Sequence, residues 1–333
     1  MKKPTQNSPF ALSSLKEYAS MLAIWIGLII LFSLLSDRFF SAATFSSLAN
    51  QIPALTLVAA GMTLVIITAG IDLSVGSILG LAGSVFGISL LGWGLPLPLA
   101  VILALVAGSL AGWVNGWISV SWRVPSFIVT LGMLEIARGL SYLATDSQTM
   151  YLNGALGSLS RPIAGIGIPV TFIVAIIIVI LLQFILSRTV FGRRLIAIGT
   201  NEQAVTLAGI RTQGPRVAVF AIAGFLAAIG GLFYTSRLGS ADPNAGVGLE
   251  LSAIAAVVIG GTSLMGGRGS VINTFFGVLI IATLESGLAQ LGASEPVKRV
   301  ITGAVIVGAA SLDAWRNQLQ GGALGFLKKL VQR

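Results

Sequence analysis

Apolar runs of about 18 or more residues recur along the whole of this chain, and each is long enough to cross the hydrocarbon core of a bilayer. Charged residues make up 9% of the 333 and hydrophobic ones 55%, whereas soluble domains carry roughly 25% charge. A water-soluble fold is excluded on those grounds. About ten spans would take up roughly 200 residues, which leaves no length for a soluble catalytic domain. The pattern predicts an all-α membrane protein of about ten transmembrane helices.

Pro, Gly and charged residues punctuate the runs. They place spans near 20–36, 53–70, 74–92, 97–118 and 125–144. After a polar stretch from Asp146 to about Gly167, further spans follow near 169–187, 216–235, 250–262, 270–289 and 297–313. The run over 250–262 is short for a crossing, and a re-entrant path there is tolerated only where protein covers it.

Cytoplasmic loops retain Lys and Arg, so the basic residues set the orientation. With ten spans and the N-terminus inside, Lys2, Lys3, Lys16, Arg123, Arg188, Arg193, Arg194, Arg211, Arg216, Arg268, Arg316, Lys328, Lys329 and Arg333 fall in the cytoplasm. Arg38, Arg161, Arg237, Lys298 and Arg299 fall on the other side, and Arg138 lies within a span. Both ends are therefore expected inside, as tails over 1–19 and 316–333 around one transmembrane domain over 20–315. Ahead of the first span there is no compact apolar core ending in a small-residue cleavage site, so residues 1–19 read as a tail and not a signal peptide.

The chain has no Cys and no His. That removes disulfides, thiolate nucleophiles, imidazole bases and the commonest zinc and haem ligands. Twenty basic residues against 11 acidic ones do not point to nucleic acid, because the charge sits between apolar spans and not on one polar face. No G-x-x-x-x-G-K-[ST] phosphate loop occurs, so the chain does not cradle ATP by that route. Without a paired catalytic constellation, a membrane-embedded enzyme is disfavoured.

Several of the 41 glycines are spaced four apart, as in Gly108, Gly112 and Gly116. That spacing lets helix backbones approach closely inside a membrane. Intramembrane charges are costly and mark either a pair or a pathway. Glu135 and Arg138, three apart, are expected to pair on one helix face. Asp72 follows the break at Gly70 and is expected to cap a helix start or to face a solute route. With Asn115, Asn273 and Glu285 it forms the candidate set for that route. Asp242, Pro243 and Asn244 suit a turn on the side away from the cytoplasm, either a simple loop, a contact for a partner, or the start of a re-entering helix.

The longest loop on the basic side runs over about 188–215. Within it Asn201 is a good N-cap, Glu202 puts an acid in the first turn, and Gly209 supplies a left-handed stop, which predicts a helix of about two turns. Arg268, in the Gly-rich turn from Gly260 to Gly269, is expected to lie near this loop. So short a helix needs tertiary support, and one held at the membrane face suits docking in a partner's groove.

The string GTNEQAVTLAGI in this loop resembles the coupling loop of permeases in ribose-type, binding-protein-dependent ATP-driven importers. GMTLVIITAGIDLSVGS, from Gly61 to Ser77, and ELSAIAAVVIGGTSLMGGRG, from Glu250 to Gly269, are similar to the same family in the same order. The resemblance covers nearly all the chain, most weakly before Ser20 and after Trp315. It implies a type II importer-like permease in a bacterial inner membrane, surrounded by lipid. It also implies a second permease subunit, ATP-binding cassette subunits, a periplasmic sugar-binding protein, and no cofactor on this chain. Arg193, Arg194, Gly199, Asn201, Glu202, Ala204, Gly209 and Arg268 are the implied ATPase-coupling residues. An ion-coupled secondary transporter is the rival reading, opposed by the basic docking-type loop and the lack of an evident acid relay in the membrane.

Overall fold

A computed structural model describes residues 9–311 apart from 153, 306, 309 and 310, with side chains from residue 18 onward. The expected tail over 316–333, with its four basic residues, lies outside the described residues, as do Lys2, Lys3 and the side chain of Lys16. Among the described residues the chain forms α1 (Pro9–Leu35), α2 (Ala42–Ile67), α3 (Val75–Gly87, continued by a π-helical turn over Ile88–Gly92), α4 (Leu97–Ser121) and α5 (Ser126–Ala144). A strand β1 (Met150–Tyr151) and the single turn α6 (Gly157–Ser160) lead to α7 (Val170–Arg188), α8 (Val190–Leu207) and α9 (Gln213–Leu238). Then come β2 (Ser240–Ala241), α10 (Leu249–Ile259) and α11 (Val271–Gln290), and residues 295–305 are helical again. Eight helices among the described residues are long and apolar enough to cross a membrane.

The expected boundaries fall within a few residues of these helices, with two clear departures; the end expected at 313 lies outside the described residues. The first span was expected from residue 20, but α1 begins at Pro9, inside the expected tail over 1–19. The second span was expected to begin at Pro53, but α2 starts at Ala42 and runs through that proline. Proline removes one backbone donor, which neighbouring helices in a membrane bundle make tolerable. α2 is also the most enclosed of the described spans, so its interior is held from several sides.

Burial divides around α2 and α9. One core joins Val58, Met62 and Ile66 of α2 to Val75 and Leu79 of α3, Ala256 of α10 and Val278 of α11. A second joins Leu57 and Leu64 to Val179 and Leu186 of α7, Leu195 of α8 and Phe220 of α9. The glycine row of α4 does what its spacing predicted. A Cβ added to Gly116 would lie 2.9 Å from the Cα of Val217, and one on Gly224 would lie 3.0 Å from the Cα of Gly112. Backbone meets backbone along this α4–α9 seam, where dispersion contacts replace the hydrophobic drive that a membrane lacks.

The segment before α10 folds back into the bundle. Asp242 makes the predicted turn, its carboxylate accepting from the Asn244 N–H at 2.8 Å. Beyond it, Gly246 presses on the backbone of Gly76, and an added Cβ on Gly80 would lie 2.8 Å from the Ala245 carbonyl oxygen. α10 has 11 residues, about 16 Å of helix against a hydrocarbon core of about 30 Å. It is thus a half-length helix entered through an irregular segment. The expected Glu135–Arg138 pair is not formed. Arg138 instead donates through Nη1 to the carbonyls of Pro243 at 2.6 Å and Ala245 at 2.8 Å, because the turn before α10 brings two backbone acceptors to it.

Candidate functional site at the basic end of the bundle

The three motifs singled out in the sequence meet at one end of the bundle. α2 ends at Ile67, and the Ile67 carbonyl accepts a hydrogen bond from the Gly267 N–H at 2.9 Å. Gly199, late in α8, sits so close to that carbonyl that a Cβ there would overlap it. A Cβ on Gly266 would lie 2.9 Å from the Ala69 nitrogen and 3.0 Å from the Gly199 oxygen, and one on Gly267 would lie 2.6 Å from Thr200 Oγ1. Three glycines therefore let the end of α2, the break within α8 and the turn before α11 share one junction. The turn that carries Arg268 lies against Thr200, as expected.

α8 is two helices joined at a kink. Asn201 has φ −162° and ψ 93°, outside the helical region, and its Oδ1 accepts from the Ala204 N–H at 2.9 Å. That is the geometry of an N-cap. The short helix stops at Gly209, which has φ +78° and whose N–H donates to the Thr206 carbonyl at 2.9 Å. Glu202 receives Arg216 Nη1 at 2.9 Å, fastening the short helix to the start of α9. The cap, the acid and the stop read from sequence are all in place. Arg193, Arg194 and Arg268 are exposed around them, and Ala204 is exposed on the short helix itself.

Sequence reasoning missed the apolar tips of this face. Leu207 is 89% exposed and Met265 86% exposed. Leu264 and Ile210 are also exposed beside them. Met265 sits at the apex of a turn closed by hydrogen bonds from Ser263 N–H to the Arg268 carbonyl at 3.1 Å and from Gly266 N–H to the Ser263 carbonyl at 2.9 Å. Large apolar residues at loop tips, each beside a glycine or turn former, were the available signal. A cleft of about 670 Å³ separates the short helix from the α4–α5 turn, lined by Arg123, Glu202, Gln203, Thr206, Leu207 and Arg216. Gln183 was also missed: its Oε1 accepts from the Val271 N–H at 2.8 Å, which ties α7 to the first turn of α11 beneath the junction.

The other candidates lie deeper. Asp72 and Asn115 have no exposed surface. Asp72 Oδ1 accepts from the Ser74 N–H at 2.9 Å and from its hydroxyl at 2.6 Å, and Asn115 Nδ2 donates to that hydroxyl at 2.8 Å. The three residues form a network that opens α3 against α4, so Asp72 serves as a helix-start residue. Asn273 is buried at 5% exposure on the first turn of α11, and Glu285 is half-buried on the same helix. None of the four stands on an open surface of the single chain.

Comparison with known proteins agrees with this architecture. Residues 44–310 match the family described as "Branched-chain amino acid transport system / permease component". The ribose import permease RbsC of Bacillus subtilis is 42% identical over 86% of this chain and 89% of its own. RbsC of Haemophilus influenzae is 39% identical over 94% and 97% respectively. The fructose import permease FrcC of Rhizobium meliloti is 33% identical over 89% of this chain and 84% of its own. Multi-pass helices, the junction of three motifs at one end, and likeness along almost the full length lead to one conclusion: the chain belongs to this family of transport-system permeases.

Proposed function

We propose that this chain is the membrane-spanning permease subunit of an ATP-driven, binding-protein-dependent importer of a monosaccharide, ribose or a related sugar, in a bacterial inner membrane. The observation that carries this reading is the short capped helix between Asn201 and Gly209. It is held rigid by glycine contacts to two other motifs and flanked by exposed Leu207 and Met265. A surface with rigid backbone, apolar anchors and a basic rim suits docking into a partner's groove. In this reading the partner is an ATP-binding subunit that hydrolyses the nucleotide, since this chain has no phosphate loop. Arg193, Arg194, Gly199, Asn201, Glu202, Ala204, Gly209 and Arg268 form or support the contact. The opposite end receives a periplasmic sugar-binding protein, and a second permease copy completes the solute route. The relatives named for ribose and fructose favour a sugar over an amino acid, and the stronger identities favour ribose.

The test is uptake of radiolabelled ribose into vesicles that contain the chain with its ATPase and binding protein. ATP inside the vesicle and an imposed ion gradient are compared. Uptake that requires both ATP and the binding protein is the expected result. Uptake driven by the gradient with this chain alone would make it a secondary transporter and overturn the reading.

A further inference from the structure

Glu135 is exposed and lies at the midpoint of α5, nine residues from either end. A carboxylate at that depth costs several kcal/mol against lipid, so it faces either water or another protein group. Its neighbours at helical spacing on the same side of α5 are Arg138 and Tyr142 toward one end and the exposed Leu131 and Ile128 toward the other. Arg138 and Tyr142 both point at the irregular segment before α10. Arg138 Nη1 holds the Pro243 and Ala245 carbonyls, and the Tyr142 hydroxyl donates to Asn244 Oδ1 at 2.7 Å. Asn244 is exposed, and Glu250, in the first turn of α10, is part-exposed against Gly76. Irregular backbone at membrane depth persists only when buried in protein or lining a water-filled cavity, and here the exposed polar groups gather on its open side. By contrast, Ile136 and Leu140 present an apolar, exposed face on another side of α5.

Given that the chain is a monosaccharide permease, we propose that Glu135, Tyr142, Asn244 and Glu250, braced by Arg138, form a mid-membrane subsite that binds the hydroxyl groups of the passing solute. The carboxylate oxygens and the Tyr142 hydroxyl oxygen accept from sugar hydroxyls, and the remaining amide hydrogen of Asn244 donates to them. Arg138 offsets part of the acidic charge of Glu135 and Glu250, and a neutral polyol meets both hydrogen-bond donors and acceptors. Glu135 is the residue placed to touch the solute, and Arg138 is a positioning residue that fixes the turn.

The chain has no native cysteine, so single-cysteine variants report directly. Glu135→Cys and Ile136→Cys are assembled with the ATPase and binding protein in vesicles and treated with a membrane-impermeant thiol reagent. Cysteine at 135 is expected to react at least about tenfold faster than at 136, because a charged reagent does not enter lipid. In parallel, Glu135→Gln is expected to lower ATP-driven ribose uptake about tenfold at sub-saturating sugar, the loss of one charge-assisted hydrogen bond. Binding-protein-stimulated ATP hydrolysis should be retained, which a folding or docking defect would abolish. A cysteine at 135 as inert as that at 136, including one hidden in a disulfide-linked dimer, overturns the proposal. So does unchanged uptake by Glu135→Gln. If the wild-type assembly shows no ATP-driven ribose uptake, the transport reading fails, and the labelling result still decides whether position 135 faces water.

Discussion

At Gly209 the physical demand rests on one dihedral angle. The residue holds φ +78° with no neighbour within 4 Å of an added Cβ, so the constraint is conformational and not steric crowding. A β-branched residue strongly resists that region. Gly209→Val should therefore leave the protein inserted and assembled but abolish ATP-driven uptake, as read by transport against membrane content. Asp72 makes the opposite case. An Asn at position 72 supplies the same acceptor to the Ser74 N–H and hydroxyl, so Asp72→Asn should keep uptake within about twofold, whereas Asp72→Ala removes the acceptor and should cost about 1–3 kcal/mol of stability. Complete loss of transport in Asp72→Asn, with normal assembly, would assign its charge a direct part in transport.

Among elements, the α4–α9 seam and the basic-end junction depend on glycine for different reasons. Along the seam a missing Cβ brings two long helices into contact. At the junction it lets three chain segments pass one carbonyl. Gly112→Leu should force α4 from α9, because an added Cβ already meets the Phe220 backbone. Overpacking of this kind typically costs about 1–3 kcal/mol, and thermal unfolding in detergent would measure it. The exposed apolar tips behave differently. Leu207→Asp with Met265→Asp should leave that melting temperature unchanged, since both side chains stand in the open, while ATPase subunits no longer co-purify with the permease. Retained co-purification would remove the apolar tips from the docking face.

Across the whole molecule, hydropathy by itself determined the all-helical membrane class and nearly every span, because a bilayer admits little else for apolar runs of that length. The Asn201–Gly209 helix was also legible, since its cap and stop are local backbone chemistry. What lay beyond the sequence was long-range. Glu135 and Arg138 are three apart and invite a helix-face pair, yet Arg138 takes two carbonyls more than 100 residues away. Pro53 marked a boundary by local rule, yet enclosure on several sides carries α2 through it. Asp72 read as a helix cap or a route residue and Asn115 as a further candidate for the same route, and only their meeting through Ser74 defines them as one buried network. Local propensity and hydropathy act over a few residues and survive any tertiary arrangement. Which buried acceptor satisfies which donor is decided by contacts between distant segments, and those exist only once the bundle has closed.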